Sequence, residues 1–276
     1  MTNICKINLE IKGKKTGVPI VLLHGFMESL EIWNYVYHDI SNKYKVILID
    51  LPGHGKSNGK DVLILEKDGI FTMENTAEIV KKTLEKKGIQ KAIFVGHSMG
   101  GYVALAMAEK YPKMFLGLCL LHSTTESDTL EKKKNRIQSI QLAINNYSLF
   151  ISASIKKLFH YERLSSLQEE IRFVCKIASY THINSIISFL KGMSIRKDRK
   201  FLLKTTKFPK LCIVGLYDSI LDIQKIYEEM KNGNKIYFVA IPTGHMGHIE
   251  KPKEIIKILE NFIDFSILTV EPKLNE

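Results

Sequence analysis

Short runs in which every position is apolar recur along the chain. Ile20-Val21-Leu22-Leu23 and Val46-Ile47-Leu48-Ile49 are two of them, and residues 115–121, 211–215 and 236–241 repeat the form, as do residues 91–95 after the leading Lys91. A run without polar alternation predicts a strand buried on both faces, as in a parallel sheet. Residues 4–11 alternate loosely instead and predict an edge strand, closed by the turn Lys12-Gly13-Lys14. Between these runs the apolar positions fall at helical spacing. Residues 29–40 place Trp33, Val36, Tyr37 and Ile40 along one side, and Thr72 opens a helix that ends at Gly88. Residues 102–111 form an alanine-rich helix stopped by Pro112, and residues 222–230 and 253–265 supply two more.

The pattern changes at Ser123. Glycine is absent until Gly192 and proline until Pro209, and the apolar spacing becomes helical throughout. Ile137, Ile140, Leu142 and Ile144 mark one helix, and residues 166–190, with Ile171, Val174, Ile177 and Ala178, predict a single long one. Alternating strands and helices with one all-helical interruption predict an α/β fold, a mostly parallel sheet carrying a helical insertion. The expected division is a core of residues 1–122 and 208–276 and an inserted unit of residues 123–207.

Composition narrows the class. Apolar residues make up 45% of the 276 and charged residues 25%, which is ordinary for a soluble globular protein. The first residues, Met1-Thr2-Asn3-Ile4-Cys5-Lys6, have no apolar run of the kind found in signal peptides. No apolar run is long enough to span a bilayer. Cys5, Cys119, Cys175 and Cys212 are far apart and lack metal-ligand spacing. A cytoplasmic location is therefore expected, with no metal and no cofactor. The net charge is +11, and residues 123–207 hold 16 Lys and Arg against 7 Asp and Glu, a net of +9. No nucleic-acid-binding motif accompanies that charge, so no nucleic-acid partner is expected. Nothing in the pattern bears on oligomeric state.

The chemistry gathers at Val95-Gly96-His97-Ser98-Met99-Gly100-Gly101, between a predicted strand and a predicted helix. Gly-x-Ser-x-Gly in that setting predicts a nucleophile elbow, a sharp turn that lifts a serine oxygen above the sheet edge. The glycines leave out side chains that would collide there, and the helix N-terminus favours developing negative charge. A serine needs a base to take its proton and an acid to orient that base. The motif order nucleophile, acid, histidine fits Ser98, Asp218 and His245, with Asp222 and His248 as nearby rivals.

Several further pieces match one family in order and spacing. They are His24-Gly25-Phe26, Asp50-Leu51-Pro52-Gly53-His54-Gly55-Lys56-Ser57, Gly215-Leu216-Tyr217-Asp218 and Gly244-His245, together with the elbow. On these the chain resembles the α/β-hydrolase superfamily over nearly its whole length apart from the helical block. The resemblance implies an α/β-hydrolase sheet flanked by helices, with the block as a helical cap inserted after the sixth strand. It implies catalytic Ser98, Asp218 and His245, and an oxyanion hole made by the backbone amides of Phe26 and Met99. The family often has a proline near Ile220-Leu221, and this chain does not.

Serine at the elbow argues against the relatives that use a carboxylate nucleophile. The expected activity is that of a carboxylesterase-like serine hydrolase, cleaving a carboxylic ester or thioester of a small molecule through an acyl-enzyme. A carbon–carbon bond hydrolase or a menaquinone-pathway-type lyase is the alternative on the same fold, and a non-catalytic ligand-binding module the alternative of another class. The basic block introduces an anionic substrate as a candidate, with Arg136, Arg163, Arg172 and Arg196 as contacts. Phe150, Phe159, Phe173 and Phe189 are candidates to line an acyl pocket.

Overall fold

Strands β1 (Leu9–Gly13), β2 (Pro19–Leu23), β3 (Lys45–Ile49), β4 (Ala92–His97), β5 (Phe115–Leu121), β6 (Lys210–Gly215) and β7 (Ile236–Ile241) form one sheet in the order β1-β3-β2-β4-β5-β6-β7. Only β1 runs antiparallel, against β3. The other neighbours are parallel. The structure is a computed structural model that describes residues 7–57 and 69–269. Residues 4–6 of the expected first strand, with Cys5, lie outside the described residues.

The uninterrupted apolar runs have the cause expected of them. Successive residues on a strand point to opposite faces, and both faces are covered. Val21, Leu23 and Phe94 pack with Val80 and Leu84 of α2 (Met73–Lys86) and Val103 of α3 (Met99–Lys110). Ile20, Leu22 and Val95 face the other way, toward Trp33 and toward Ile255, Leu259 and Ile263 of α11 (Pro252–Leu268). Burying one such side chain contributes about 1.5–3 kcal/mol, so this two-sided core is the main reason the sheet holds.

Two helices differ from the sequence pattern. Residues 29–40 are not one helix: a 3-10 segment, Leu30–Tyr35, is capped by the Ser29 hydroxyl, and α1 spans Tyr37–Lys43. The break falls at Val36, which leaves helical geometry (φ −130°) and bonds back to the Trp33 carbonyl. The stretch 166–190 is likewise two helices, α6 (Gln168–Ser179) and α7 (Ile183–Ser194). His182 turns extended there, and its ring accepts the Asn184 amide as a cap. The Tyr147 hydroxyl donates to the Thr181 carbonyl in the same break.

The all-helical stretch between β5 and β6 comprises α4 (Leu130–Asn145), α5 (Tyr147–Lys156), α6, α7 and α8 (Leu202–Thr205). It follows the fifth strand among the described residues, not the sixth, because a single antiparallel strand precedes β2. Phe150, Phe159 and Phe189 are buried in the core, while Phe173 is half-buried against Tyr35. Phe189 stacks on Phe71 and meets the His54 ring edge-on, which brings α7 against the loop after β3.

Candidate active site

The parallel strands all end on one side of the sheet, where loops gather ligands and reactive groups in open α/β folds. Ser98 stands there, between central strand β4 and α3. Its backbone has φ 49° and ψ −116°, a conformation that costs a non-glycine residue of order 1–3 kcal/mol. Neighbouring bonds hold it: its amide donates to the Leu121 carbonyl at 3.0 Å, and its carbonyl accepts the Ser123 hydroxyl at 2.8 Å. The glycines are needed for contact. A Cβ on Gly100 would lie 2.3 Å from the Leu23 carbonyl oxygen, and one on Gly96 would lie 2.5 Å from the Gly101 nitrogen.

The helix begins at Met99, three residues before the alanine-rich stretch that the pattern marks. Met99 is thus the first helical residue, and its amide has no intrahelical acceptor. The second expected donor, Phe26, lies after β2. The amides on either side of it are engaged: Gly25 donates to Glu28 Oε2 at 2.5 Å and Met27 to His54 Nε2 at 3.2 Å. Met27 itself takes a left-handed backbone (φ 59°) to make this turn.

His245 and Asp218 come together. His245 Nδ1 lies 2.7 Å from Asp218 Oδ2, with both side chains buried. The other carboxylate oxygen accepts the amides of Ile220 at 2.8 Å and Leu221 at 3.2 Å. Proline at Ile220 would remove the shorter of these donors, so the departure from the family pattern supplies a bond here. Burial pushes the Asp218 carboxyl up, but the charge and the hydrogen bond of His245, with the His122 ring close by, outweigh it and hold it well below the usual carboxylate range.

The rivals are placed elsewhere. Asp222 accepts the Lys225 amide at 3.1 Å as the N-cap of α9 (Ile223–Met230). His248 lies in α10 (Gly247–Glu250), buried against the Trp33 and His97 rings. Burial drives its pKa well down. The loop of residues 50–57 is held by buried side-chain bonds to its backbone and its neighbours. Asp50 accepts the amides of Leu30 and Lys56, and His24 Nε2 accepts the amide of Leu51. His54 donates to the Pro52 carbonyl from its other nitrogen, and burial lowers its pKa to about 3.

One residue at the site was not anticipated. His122 follows β5 with a left-handed backbone (φ 47°) and is fully buried. Its Nε2 accepts the Gly247 amide at 3.2 Å, so its proton is on Nδ1, which lies 3.6 Å from Asp218 Oδ2. His122, Asp218 and His245 are close enough to resemble a metal-ligand trio. A metal on His122 Nδ1 would move the proton to Nε2, against the Gly247 N–H, so the donor set does not fit one. A polar residue at the end of a buried strand was the signal available for His122.

Of the four candidate arginines, Arg136 and Arg196 both donate to the buried Asp128. Arg172 is exposed and Arg163 half-buried. The helical stretch also bonds to the His245 loop: the His245 amide donates to the Leu158 carbonyl at 2.6 Å, and Glu250 Oε1 accepts the Gly244 amide at 2.9 Å and the His160 amide at 3.4 Å. Among the described residues no helix is long and apolar enough to cross a membrane.

Residues 18–150 match the family described as the alpha/beta hydrolase fold. An uncharacterized hydrolase of Bacillus subtilis, YugF, is 34% identical over 262 residues, covering 91% of this chain and 90% of that protein. A pimeloyl-[acyl-carrier protein] methyl ester esterase of Wigglesworthia glossinidia brevipalpis is 28% identical over 262 residues, covering 90% and 94%. Among solved structures, a thermophilic esterase from Thermogutta terrifontis superposes with a TM-score of 0.85 at 26% identity, covering 94% of this chain and 93% of that one. With these matches running through the sheet, the elbow and the loop of His245, the chain belongs to the α/β-hydrolase fold family.

Proposed function

We propose that this hydrolase-family chain is a carboxylesterase-like serine hydrolase that cleaves an ester-type bond of a small molecule through an acyl-enzyme. The observation that carries the reading is the buried His245–Asp218 bond of 2.7 Å, with His245 itself bonded through its carbonyl to His97, the residue before the strained Ser98. In the reaction His245 takes the Ser98 proton as Oγ attacks the acyl carbon, and Asp218 holds the Nδ1–H of the resulting imidazolium. The amides of Met99 and Phe26 receive the charge on the acyl oxygen. Collapse expels the alcohol or thiol, which leaves with the proton from His245. Water, deprotonated by the same imidazole, then releases the acid and restores Ser98.

Esterases among the relatives support the ester bond, and the helical block of residues 123–207, bonded to the His245 loop, suits a cap over the site. The free thiols Cys119, Cys175 and Cys212 suit a reducing cytoplasm. An anionic substrate is supported by the long-range field of the block, not by bidentate contacts from Arg136 or Arg196, which Asp128 already holds.

A fluorophosphonate probe tests the reading directly. Stoichiometric labelling at Ser98, with Ser98→Ala folded and reduced by several powers of ten in turnover of p-nitrophenyl esters, is expected. A folded Ser98→Ala protein with near-native turnover defeats the serine mechanism. Absence of labelling and turnover in the native chain favours a ligand-binding module.

A further inference from the structure

Beneath the candidate site lies a second buried carboxylate and imidazole, which the proposed chemistry does not use. Glu28 is 1% exposed and His97 0%. Glu28 Oε2 accepts the Gly25 amide at 2.5 Å and His97 Nδ1–H at 3.0 Å. His97 Nε2 donates to the His245 carbonyl at 3.0 Å. Both ring nitrogens therefore face acceptors, and satisfying both takes a proton on each. Burial opposes charge on either group, but the partner's charge and the bonds between them prevail: His97 is held above the usual imidazole range and Glu28 below the usual carboxylate range. His24, His122 and His248 surround the pair, and burial pushes each of them down, so the positive charge rests on His97.

The three bonds reach three separate pieces of the site. Gly25 precedes the oxyanion donor Phe26, His97 precedes Ser98, and the His245 carbonyl belongs to the base. We propose that the Glu28–His97 ion pair is a positioning device that locks oxyanion loop, nucleophile and base into one register. The inference rests on the serine-hydrolase reading above. A neutral pair cannot do the same. With glutamine at position 28, His97 loses its reason to be charged and carries one proton. If that proton is on Nδ1, the bare Nε2 faces the His245 carbonyl. If it is on Nε2, the glutamine must turn its NH2 toward Nδ1, which puts a donor against the Gly25 N–H where one oxygen had served both. Either way one of the three links is lost.

The test uses the full chain with a p-nitrophenyl ester, and the low-field proton resonance of the His245–Asp218 hydrogen bond, identified by its loss in His245→Ala. Glu28→Gln is expected to lower kcat by roughly ten- to a hundredfold, the scale of a small misplacement of reacting groups. KM should stay within about twofold, since ground-state binding is not altered. The low-field resonance should shift or broaden. Because a lone buried charge destabilises, Glu28→Met/His97→Leu is the companion variant: it leaves no unpaired charge, should fold, and should show the same loss of kcat. A folded Glu28→Gln with native kcat and an unmoved resonance overturns the inference, and so does native kcat in the double variant. Ser98→Ala separates the two levels. If it is inactive while Glu28→Gln is native, only the positioning role fails, whereas an active Ser98→Ala removes the reading beneath it.

Discussion

Asp218 and Asp222 are four residues apart and chemically identical, yet their surroundings give them different work. Asp218 is buried and takes the His245 ring on one oxygen and two amides on the other. Asp222 caps a helix at the surface. Asp218→Asn is expected to lower kcat by about four powers of ten, because the amide no longer holds the productive tautomer. Asp222→Ala should instead cost about 1 kcal/mol in urea unfolding, the usual worth of an N-cap, and leave kcat near native. Steady-state kinetics and equilibrium unfolding on both variants check the pair, and the reverse ranking would transfer the role to Asp222.

At the scale of elements, the question is what keeps the helical stretch on the sheet. Asp128 sits where it can answer, buried between the guanidinium groups of Arg136 and Arg196. The Arg196 guanidinium lies 4.1 Å from the centre of the Tyr102 ring on α3, so this cluster joins the stretch to the helix behind Ser98. Removing the carboxylate leaves the Arg196 charge buried. Asp128→Ala is therefore expected to cost about 3–5 kcal/mol of stability, read as a lowered urea midpoint. A loss below about 1 kcal/mol, the level of an exposed pair, would show that the cluster is not the anchor.

For the whole molecule, charge and pH are the relevant variables. The net of +9 in residues 123–207, which already counts Asp128, creates a positive field, but two of its arginines share that one carboxylate and are not free to contact a substrate. Raising ionic strength from about 0.01 M to about 0.15 M, where the Debye length is roughly 8 Å, should lower kcat/KM for an anionic ester and leave a matched neutral ester unchanged. Equal responses would make the block a solvated surface with no bearing on substrate charge. Glu229 is one contributor to the pH dependence. Burial, reinforced by Glu126, raises its pKa from 4.5 to about 7, while Thr125 donates to it. Between those values the folded state holds a proton that the unfolded chain has released, so this group's contribution falls as pH rises through that window. Glu229→Gln keeps an acceptor for Thr125 and should raise Tm relative to the native chain at about pH 8, with little difference at about pH 4. A higher Tm at the acidic pH alone would reverse the sign and refute the argument.

The local sequence alone determined the strands, the elbow and the order of the three candidate catalytic residues. Strands buried on both faces must be apolar at every position, and the turn at Ser98 excludes side chains on its flanking glycines whatever the rest of the chain does. The chain therefore displays both in short windows, as the pattern of 115–121 and the motif at 96–100 do. Tertiary structure decided what depends on residues meeting from far apart. The helix breaks at Val36 and at His182 follow from caps and from a Tyr147 bond that periodicity does not encode. The choice of Asp218 for His245 depends on how two loops fold together. The Glu28–His97 pair joins positions 69 residues apart, and the His97–His245 bond joins positions 148 apart. Buried charges survive only where a partner is held at hydrogen-bond distance, and that distance exists only in the folded chain.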